Sequence, residues 1–328
     1  MQAQDYAGAA WAIGLRVPGL TGSEVDAAFD AGTILRTHVL RPTWHFVTPD
    51  DIRWMLALTA PRVHAFNAPY YRQEGLDRAT LARCRRRIER ALTREPYLTR
   101  EQIGSVLATG GVPLKGLALG LALMHAELEG LICSGPRLGR QFTYALLDQR
   151  APIRPVCPRD EALGEITRRY FTSHGPATLK DFAWWSGLTQ RDGRRGVEIN
   201  GRALGSETVD GLTYWSSGDD RPPSRASRSI HLLPNYDECL IAYQDRGLSA
   251  PPDGVSRPPR DDFAHHVLVD GRVAGSWRRT VSRAGVDVRI ACYSPPGAGM
   301  KRGIERAAAR YGAFLGVDAS AHFLPSSH

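Results

Sequence analysis

Four times along the chain a threonine sits between apolar residues, with an acid or an amide three positions later. The pattern occurs at Leu20-Thr21 with Glu24, Val47-Thr48 with Asp51, Leu98-Thr99 with Gln102 and Ala177-Thr178 with Asp181. In such a segment the Thr oxygen accepts from a free backbone N–H of the first helical turn, the acid or amide reaches back, and the apolar pair fixes the entry angle. The pattern therefore predicts four helix starts. Pro49, at the first helical position, strengthens the second.

Two of these starts open helix-turn-helix patterns. After Thr178 a short helix through Trp184 and Trp185 reaches Gly187, and Thr189 with Asp192 opens a second helix bearing Arg191, Arg194 and Arg195. A short turn containing Gly is the expected connection. A hairpin follows, Ala203 to Val209 and Leu212 to Trp215 around Asp210-Gly211, a dipeptide that favours a type I′ turn. Helix, helix, hairpin is the order of a winged helix. The Thr99 helix, an apolar helix over Leu117 to Leu128, and strands Leu131 to Ser134 and Gln141 to Leu146 repeat that order around a basic tip, Arg137 to Arg140. An irregular version opens the chain, with the Thr21 helix, a strand pair within Ile34 to Val47 around Arg41-Pro42, and the Thr48 helix.

Past this region the pattern changes. Ser217 to Ser229 reads as a polar linker and Gly247 to Asp262, rich in Pro, Gly, Asp and Arg, as a mobile loop. Strands are expected at Ile230 to Leu233, at Val267 to Val269 turning through Asp270-Gly271 into Arg272 to Trp277, and at Val286 to Tyr293. A final helix places Ile304, Ala308, Tyr311 and Leu315 on one stripe. The fold class expected is α+β, with tandem winged-helix units and a C-terminal α+β region. The boundaries are 1–92, with the irregular unit, 93–152 and 158–217 for the second and third winged helices, and 229–328 for the C-terminal region.

Composition narrows the partner. The net charge is +8 and the sequence pI is near 9.5, which suits a polyanion, although nearly all the cations are Arg. The five cysteines are scattered without a CxxC pair, which argues against structural zinc and a disulfide framework. No HExxH, P-loop or dinucleotide fingerprint is present, so no metal and no cofactor is expected. No apolar run approaches a membrane span and the start lacks the cationic residues of an export signal, so a cytoplasmic location follows.

The opening Gln2-Ala3-Gln4-Asp5, Leu40 to Val47 (LRPTWHFV), Phe182 to Leu188 (FAWWSGL), Leu232 to Glu238 (LLPNYDE) and Val269 to Arg279 (VDGRVAGSWRR) together resemble the winged-helix DNA-binding family that includes the AlkZ-like DNA glycosylases. The resemblance runs over essentially the whole chain. It implies tandem winged helices forming a concave, basic face on duplex DNA, in a nucleoid-associated monomer. It also implies a catalytic glutamine-x-glutamine motif, matched by Gln2 and Gln4, in enzymes that excise alkylated purines and unhook crosslinks by cutting the N-glycosidic bond. Relatives carry a further helix ahead of this motif, where Met1 alone precedes it here; either an upstream in-frame extension supplies that helix or the site stands without it.

The residues carry a chemical argument of their own. A glutamine amide does not titrate near neutral pH, yet it can hold a water by donating and accepting hydrogen bonds. An N7- or N3-alkylated purine is already cationic and leaves without protonation, so positioning a water suffices. The expectation is a monofunctional glycosylase for cationic alkylpurines in duplex DNA, with Gln2 and Gln4 placing the water. The alternatives are a non-catalytic winged-helix DNA-binding protein, either a regulator or an inactive paralogue, and a protein-interaction scaffold, with the glutamines as a frayed chain end.

Around this centre, Arg41, His45, Arg137, Arg140, Arg191, Arg194, Arg278 and Arg279 are the expected DNA contacts. Strand alternation puts His45 on a face with Thr43, to meet a phosphate or orient a water, or else to serve as a structural histidine. Trp277 is assigned to the core and its two following arginines to DNA. Asp5 is expected to cap the helix leading to Trp11, Asp237 and Glu238 to anchor a turn against arginines, and Arg83 to Arg90 to form a basic helical face.

Overall fold

Five helix starts marked by threonines can be followed directly in the backbone. The computed structural model describes residues 1–155, 157–218, 229–250 and 264–325, so most of the linker and of the Pro-rich loop lies outside the described residues. The chain opens with α1 (Tyr6–Arg16) and α2 (Gly22–Ala31), a hairpin of β1 (Leu35–His38) and β2 (Trp44–Val47), and two long helices, α3 (Ile52–Gln73) and α4 (Arg78–Arg94). Next come β3 (Leu98–Thr99), α5 (Arg100–Thr109), α6 (Gly116–Leu128), β4 (Ile132–Ser134), β5 (Thr143–Leu146) and the single turn α7 (Leu147–Arg150). A three-helix segment, α8 (Arg159–His174), α9 (Leu179–Ser186) and α10 (Gln190–Asn200), leads into the hairpin β6 (Leu204–Val209) and β7 (Leu212–Ser217). The remainder is β8 (Ile230–Leu233), α11 (Glu238–Ile241), β9 (His265–Val269), β10 (Arg272–Ser282), β11 (Gly285–Cys292), α12 (Ala298–Leu315) and β12 (Ala319–Phe323). No helix among the described residues is long and apolar enough to cross a membrane.

Reciprocal capping boxes open α5, α9 and α10, through Thr99 with Gln102, Thr178 with Asp181 and Thr189 with Asp192. At α2 the Thr21 N–H donates to Glu24 Oε2 at 2.8 Å and the Glu24 N–H returns to Thr21 Oγ1 at 3.3 Å. The Thr48 start is displaced. Its hydroxyl donates to Asp51 Oδ2 at 2.9 Å instead of accepting from the backbone, and α3 begins only at Ile52, after a turn closed on the Thr48 carbonyl.

The chain divides into two compact units, one made of Met1–Ala27 with Asp219–His328 and the other of Ala28–Gly218. The first is built on a five-stranded sheet in the order β12-β11-β10-β9-β8, antiparallel except where β12 lies parallel to β11. Asp270 and Gly271 both take positive φ at the β9–β10 turn, as the Asp-Gly signal required. The stripe of α12 buries Ile304, Ala308 and Tyr311. Two indoles fix the inner edge of this unit, Trp11 Nε1 donating to the Leu232 carbonyl at 2.7 Å and Trp277 Nε1 to the Leu233 carbonyl at 2.8 Å. Tyr311 meets both rings edge-on, at centroid distances of 5.0 and 5.3 Å. A fully buried Trp pairs its polar handle in this way because an unmatched N–H would cost more than the ring gains.

In the second unit, α8, α9 and α10 pack around Tyr170, Phe171 and Phe182, all buried and in mutual ring contact. The β6–β7 hairpin turns on Asp210 and Gly211, at φ 49° and 75°, and Trp215 pairs with Ala177 as a third short edge. A second core, with Ile88, Leu92, Ile103, Leu107 and Leu123 at its centre, joins α4, α5 and α6 to the three-stranded sheet β3-β5-β4. The turn between α9 and α10 is held against the β1–β2 turn. Gly187 is left-handed at φ 70°, a Cβ there would strike the Leu40 carbonyl, and its own carbonyl accepts from Arg62 Nε at 2.6 Å.

Candidate functional site

The glutamine segment begins in place. Gln2 is 8% exposed and Ala3 is fully buried, and the Gln2 backbone N–H donates to Glu238 Oε1 at 2.8 Å. Glu238 is itself buried, at the start of α11, which Asp237 caps by accepting from the Cys239 N–H at 2.9 Å. Asp237 also takes both guanidinium nitrogens of Arg16, at 2.8 and 2.9 Å. Burial of a carboxylate is tolerated only where donors satisfy it, and here the donors come from the chain start. Asp237 thus anchors its turn on an arginine, as expected of it, while Glu238 anchors the glutamine segment. Gln4 is exposed.

Beside this segment lies a polar group that sequence reasoning did not assemble. Asp5 stands at the N-cap position of α1 but makes no side-chain cap bond; its Oδ2 lies 3.8 Å from Arg279 Nη2. Arg279 Nη1 is 3.0 Å from His265 Nε2, and the other ring nitrogen, Nδ1, accepts the Asn235 N–H at 2.8 Å. Burial first, then the Arg279 cation, push the His265 pKa down to about 4, against the pull of Asp5. The ring is therefore neutral at pH 7 and is no proton donor to a leaving base. Asn235 Oδ1 is buried without a hydrogen-bond partner among the described residues. It comes this close to α1 because residue 8 is glycine, whose Cβ, if present, would lie 2.9 Å from that oxygen. Part of this group was within reach of a sequence argument, since Trp277 and Arg279 are two apart on β10 and must share a face.

The expected DNA contacts separate into two kinds. Arg191 and Arg194 are exposed on α10, Arg140 is exposed at the β4–β5 tip next to Gly139, and Arg278 is exposed on β10. Arg279 points the other way, over the rings of Trp277 and Tyr311. Arg137 turns back from the tip, its backbone N–H on Asp30 Oδ1 at 2.8 Å and its Nε 3.6 Å from the same oxygen. Arg41, at the β1–β2 turn, is half-buried, with Nη1 3.5 Å from the Trp184 carbonyl. His45 is 1% exposed and its Nδ1 lies 2.9 Å from the Thr43 carbonyl. The β1–β2 ladder is covered on both faces, so alternation does not bring one of them to solvent, and His45 lies enclosed within it.

The same ladder carries a buried ionisable cluster whose members lie too far apart in the chain for any local pattern to pair them. His38 Nδ1 makes a short contact with Glu127 Oε2, Trp44 Nε1 donates to Glu127 Oε1 at 3.4 Å, and the Arg36 guanidinium lies 4.2 Å from the Trp44 ring centroid. The exposed cations of α4, among them Arg86, Arg90 and Arg94, border a shallow cleft of about 490 Å³.

Comparison with curated proteins returned no match. Among solved structures, the Streptomyces sahachiroi DNA glycosylase AlkZ aligns with a TM-score of 0.78 at 21% identity, covering 99% of this chain and 91% of that one. At that identity the likeness establishes the fold. The sequence matches the family described as DNA glycosylase AlkZ-like over residues 1–314. The match takes in the buried glutamine segment, the carboxylate that holds it and the helices bearing the exposed arginines, and by it the chain belongs to the AlkZ-like DNA glycosylase family.

Proposed function

We propose that this DNA glycosylase removes cationic N7- or N3-alkylated purines from duplex DNA, free or within crosslinks, with Gln2 and Gln4 positioning the attacking water. The observation that carries the reading is the tether of Gln2 to Glu238, which makes the start of the chain part of a built site instead of a frayed end. The neutral state of His265 supports it, because this imidazole offers no acid to a normal base, and a cationic lesion needs none. Asn235 Oδ1 is a second acceptor available to orient that water. In this reading the segments 93–152 and 158–217 are winged helices and 1–92 is an irregular one. Arg140, Arg191 and Arg194 meet phosphates, as does Arg278 on its own unit.

The test is chromatography of free bases from an alkylated duplex. Release of N7-alkylguanine above the spontaneous rate is expected. A Gln2→Ala, Gln4→Ala double variant should lose that release while keeping its affinity for the duplex. No release from the unaltered protein, or undiminished release from the double variant, overturns the proposal.

A further inference from the structure

We propose that His64, His125 and Glu129 form a divalent transition-metal site, suited to Zn²⁺, that fastens α3 to the C-terminal end of α6. His64 projects from the middle of α3, His125 from the last turn of α6, and Glu129 is the residue that caps that helix. One ligand atom from each residue lies within 4.8 Å of the other two. Glu129 Oε1 is 3.1 Å from His64 Nε2, and the two imidazole centroids are 4.9 Å apart.

The decisive detail is at His64 Nε2. That nitrogen is shielded from solvent and faces Glu129 Oε1 at 3.1 Å, a contact that a metal ion held between the two atoms would replace. Its partner nitrogen, Nδ1, lies 3.2 Å from the Tyr71 hydroxyl. With Nδ1 as donor to that oxygen, Nε2 carries the free lone pair a metal requires, in the arrangement of outer partners that orients ligating histidines. Tyr71 also meets the His125 ring edge-on at 5.9 Å, so one residue backs both imidazoles.

Burial, the largest influence on each ring, lowers both histidine pKa values, Glu129 opposing the effect at each and Arg85 adding to it at His125. Ligands at about 2.0–2.2 Å from a tetrahedral Zn²⁺ stand roughly 3.4 Å apart. Closing the set from its present spread needs only side-chain rotation of about an ångström, and Glu129, 44% exposed, has room to make it. Two imidazoles and a carboxylate form a donor set for Zn²⁺ and its neighbours and a poor one for Mg²⁺ or Ca²⁺. His64 and Glu129 also line a cleft of about 360 Å³, together with Arg53, Leu56, Ala60 and Leu147.

The experiment uses the full chain, freed of metal by a chelator and titrated with Zn²⁺ by calorimetry and with Co²⁺ by visible absorption. One equivalent should bind with micromolar or tighter affinity and raise the melting temperature. The Co²⁺ spectrum should show d–d bands without thiolate charge transfer. His125→Asn and Glu129→Gln should each weaken binding by at least about tenfold. Because Glu129 is exposed, its Gln variant is expected to keep the far-UV circular dichroism of the parent, which separates a ligation defect from a folding defect. No saturable binding, or equal binding by parent and both variants, overturns the proposal and leaves the three residues as a polar contact.

Discussion

Glu238 Oε1 accepts the backbone N–H of Gln2 at 2.8 Å, joining positions 236 residues apart in the chain. Terminal residues ordinarily fray unless tied down, and this tie engages the backbone of Gln2 and not its amide. Glu238→Ala is expected to slow single-turnover base release by about 10–100-fold, the ~1.5–3 kcal/mol of a hydrogen bond to a charged group. Duplex affinity, measured by fluorescence anisotropy, should change little. Glu238→Gln keeps an acceptor oxygen and should retain most of the rate. Equal reductions in rate and in affinity would contradict a role confined to the glutamine segment.

Arg137 and Arg191 were alike in the sequence and differ in the structure. Arg191 is exposed on α10 without an ion pair among the described residues, whereas Arg137 is committed to Asp30. Removing one arginine–phosphate pairing should lower the slope of log K against log salt by about 0.9. Arg191→Ala and Arg194→Ala are therefore expected to flatten that slope and weaken binding on every duplex alike. Arg137→Ala should leave the slope unchanged. Anisotropy titrations across a series of salt concentrations decide between the two outcomes.

His265 should give the protein a pH-dependent stability. Its folded pKa, about 4, lies below the ordinary value of 6.5, so between those limits the unfolded chain binds a proton that the folded chain refuses. Its contribution is fully present above pH 6.5 and falls away as the pH drops toward 4. The decline should reach about 2 kcal/mol, less than the full shift implies because the ring is partly solvated. Urea denaturation at pH 7 and pH 4.5 should show a smaller decline in His265→Gln than in the parent. Identical declines would mean that His265 is not the titrating group.

What the sequence revealed and what it hid follow from range. Thr99, Thr178 and Thr189 announced their helices because a capping box closes within four residues, and Asp210-Gly211 and Asp270-Gly271 announced their turns because φ is a property of the residue itself. The grouping of Met1–Ala27 with the C-terminal sheet rests on bonds such as Trp11 to Leu232, 221 residues apart, which no local pattern encodes. β12, running Ala-Ser-Ala-His-Phe, lacks β-branched residues and becomes a strand only by pairing with β11. Arg279 was legible all the same. The pleat turns Arg278 and Arg279 to opposite faces of β10, the second toward Asp5 and His265.

Glu127 supplies a test of the β1–β2 region that does not involve DNA. The carboxylate is 1% exposed and faces both His38 Nδ1 and Trp44 Nε1. Removing one partner of a buried pair leaves the other desolvated, so Glu127→Ala should cost about 3–5 kcal/mol of unfolding free energy. Glu127→Gln retains one acceptor and should cost less. Replacing both members by apolar residues of similar size, His38→Phe with Glu127→Leu, removes the unmatched charge together with the pair and should recover much of the stability, since such replacements are often close to neutral. Urea denaturation of His38→Phe, of Glu127→Leu and of the double variant gives the coupling directly. Simple addition of the single effects in the double variant would show that the two side chains act independently despite their contact.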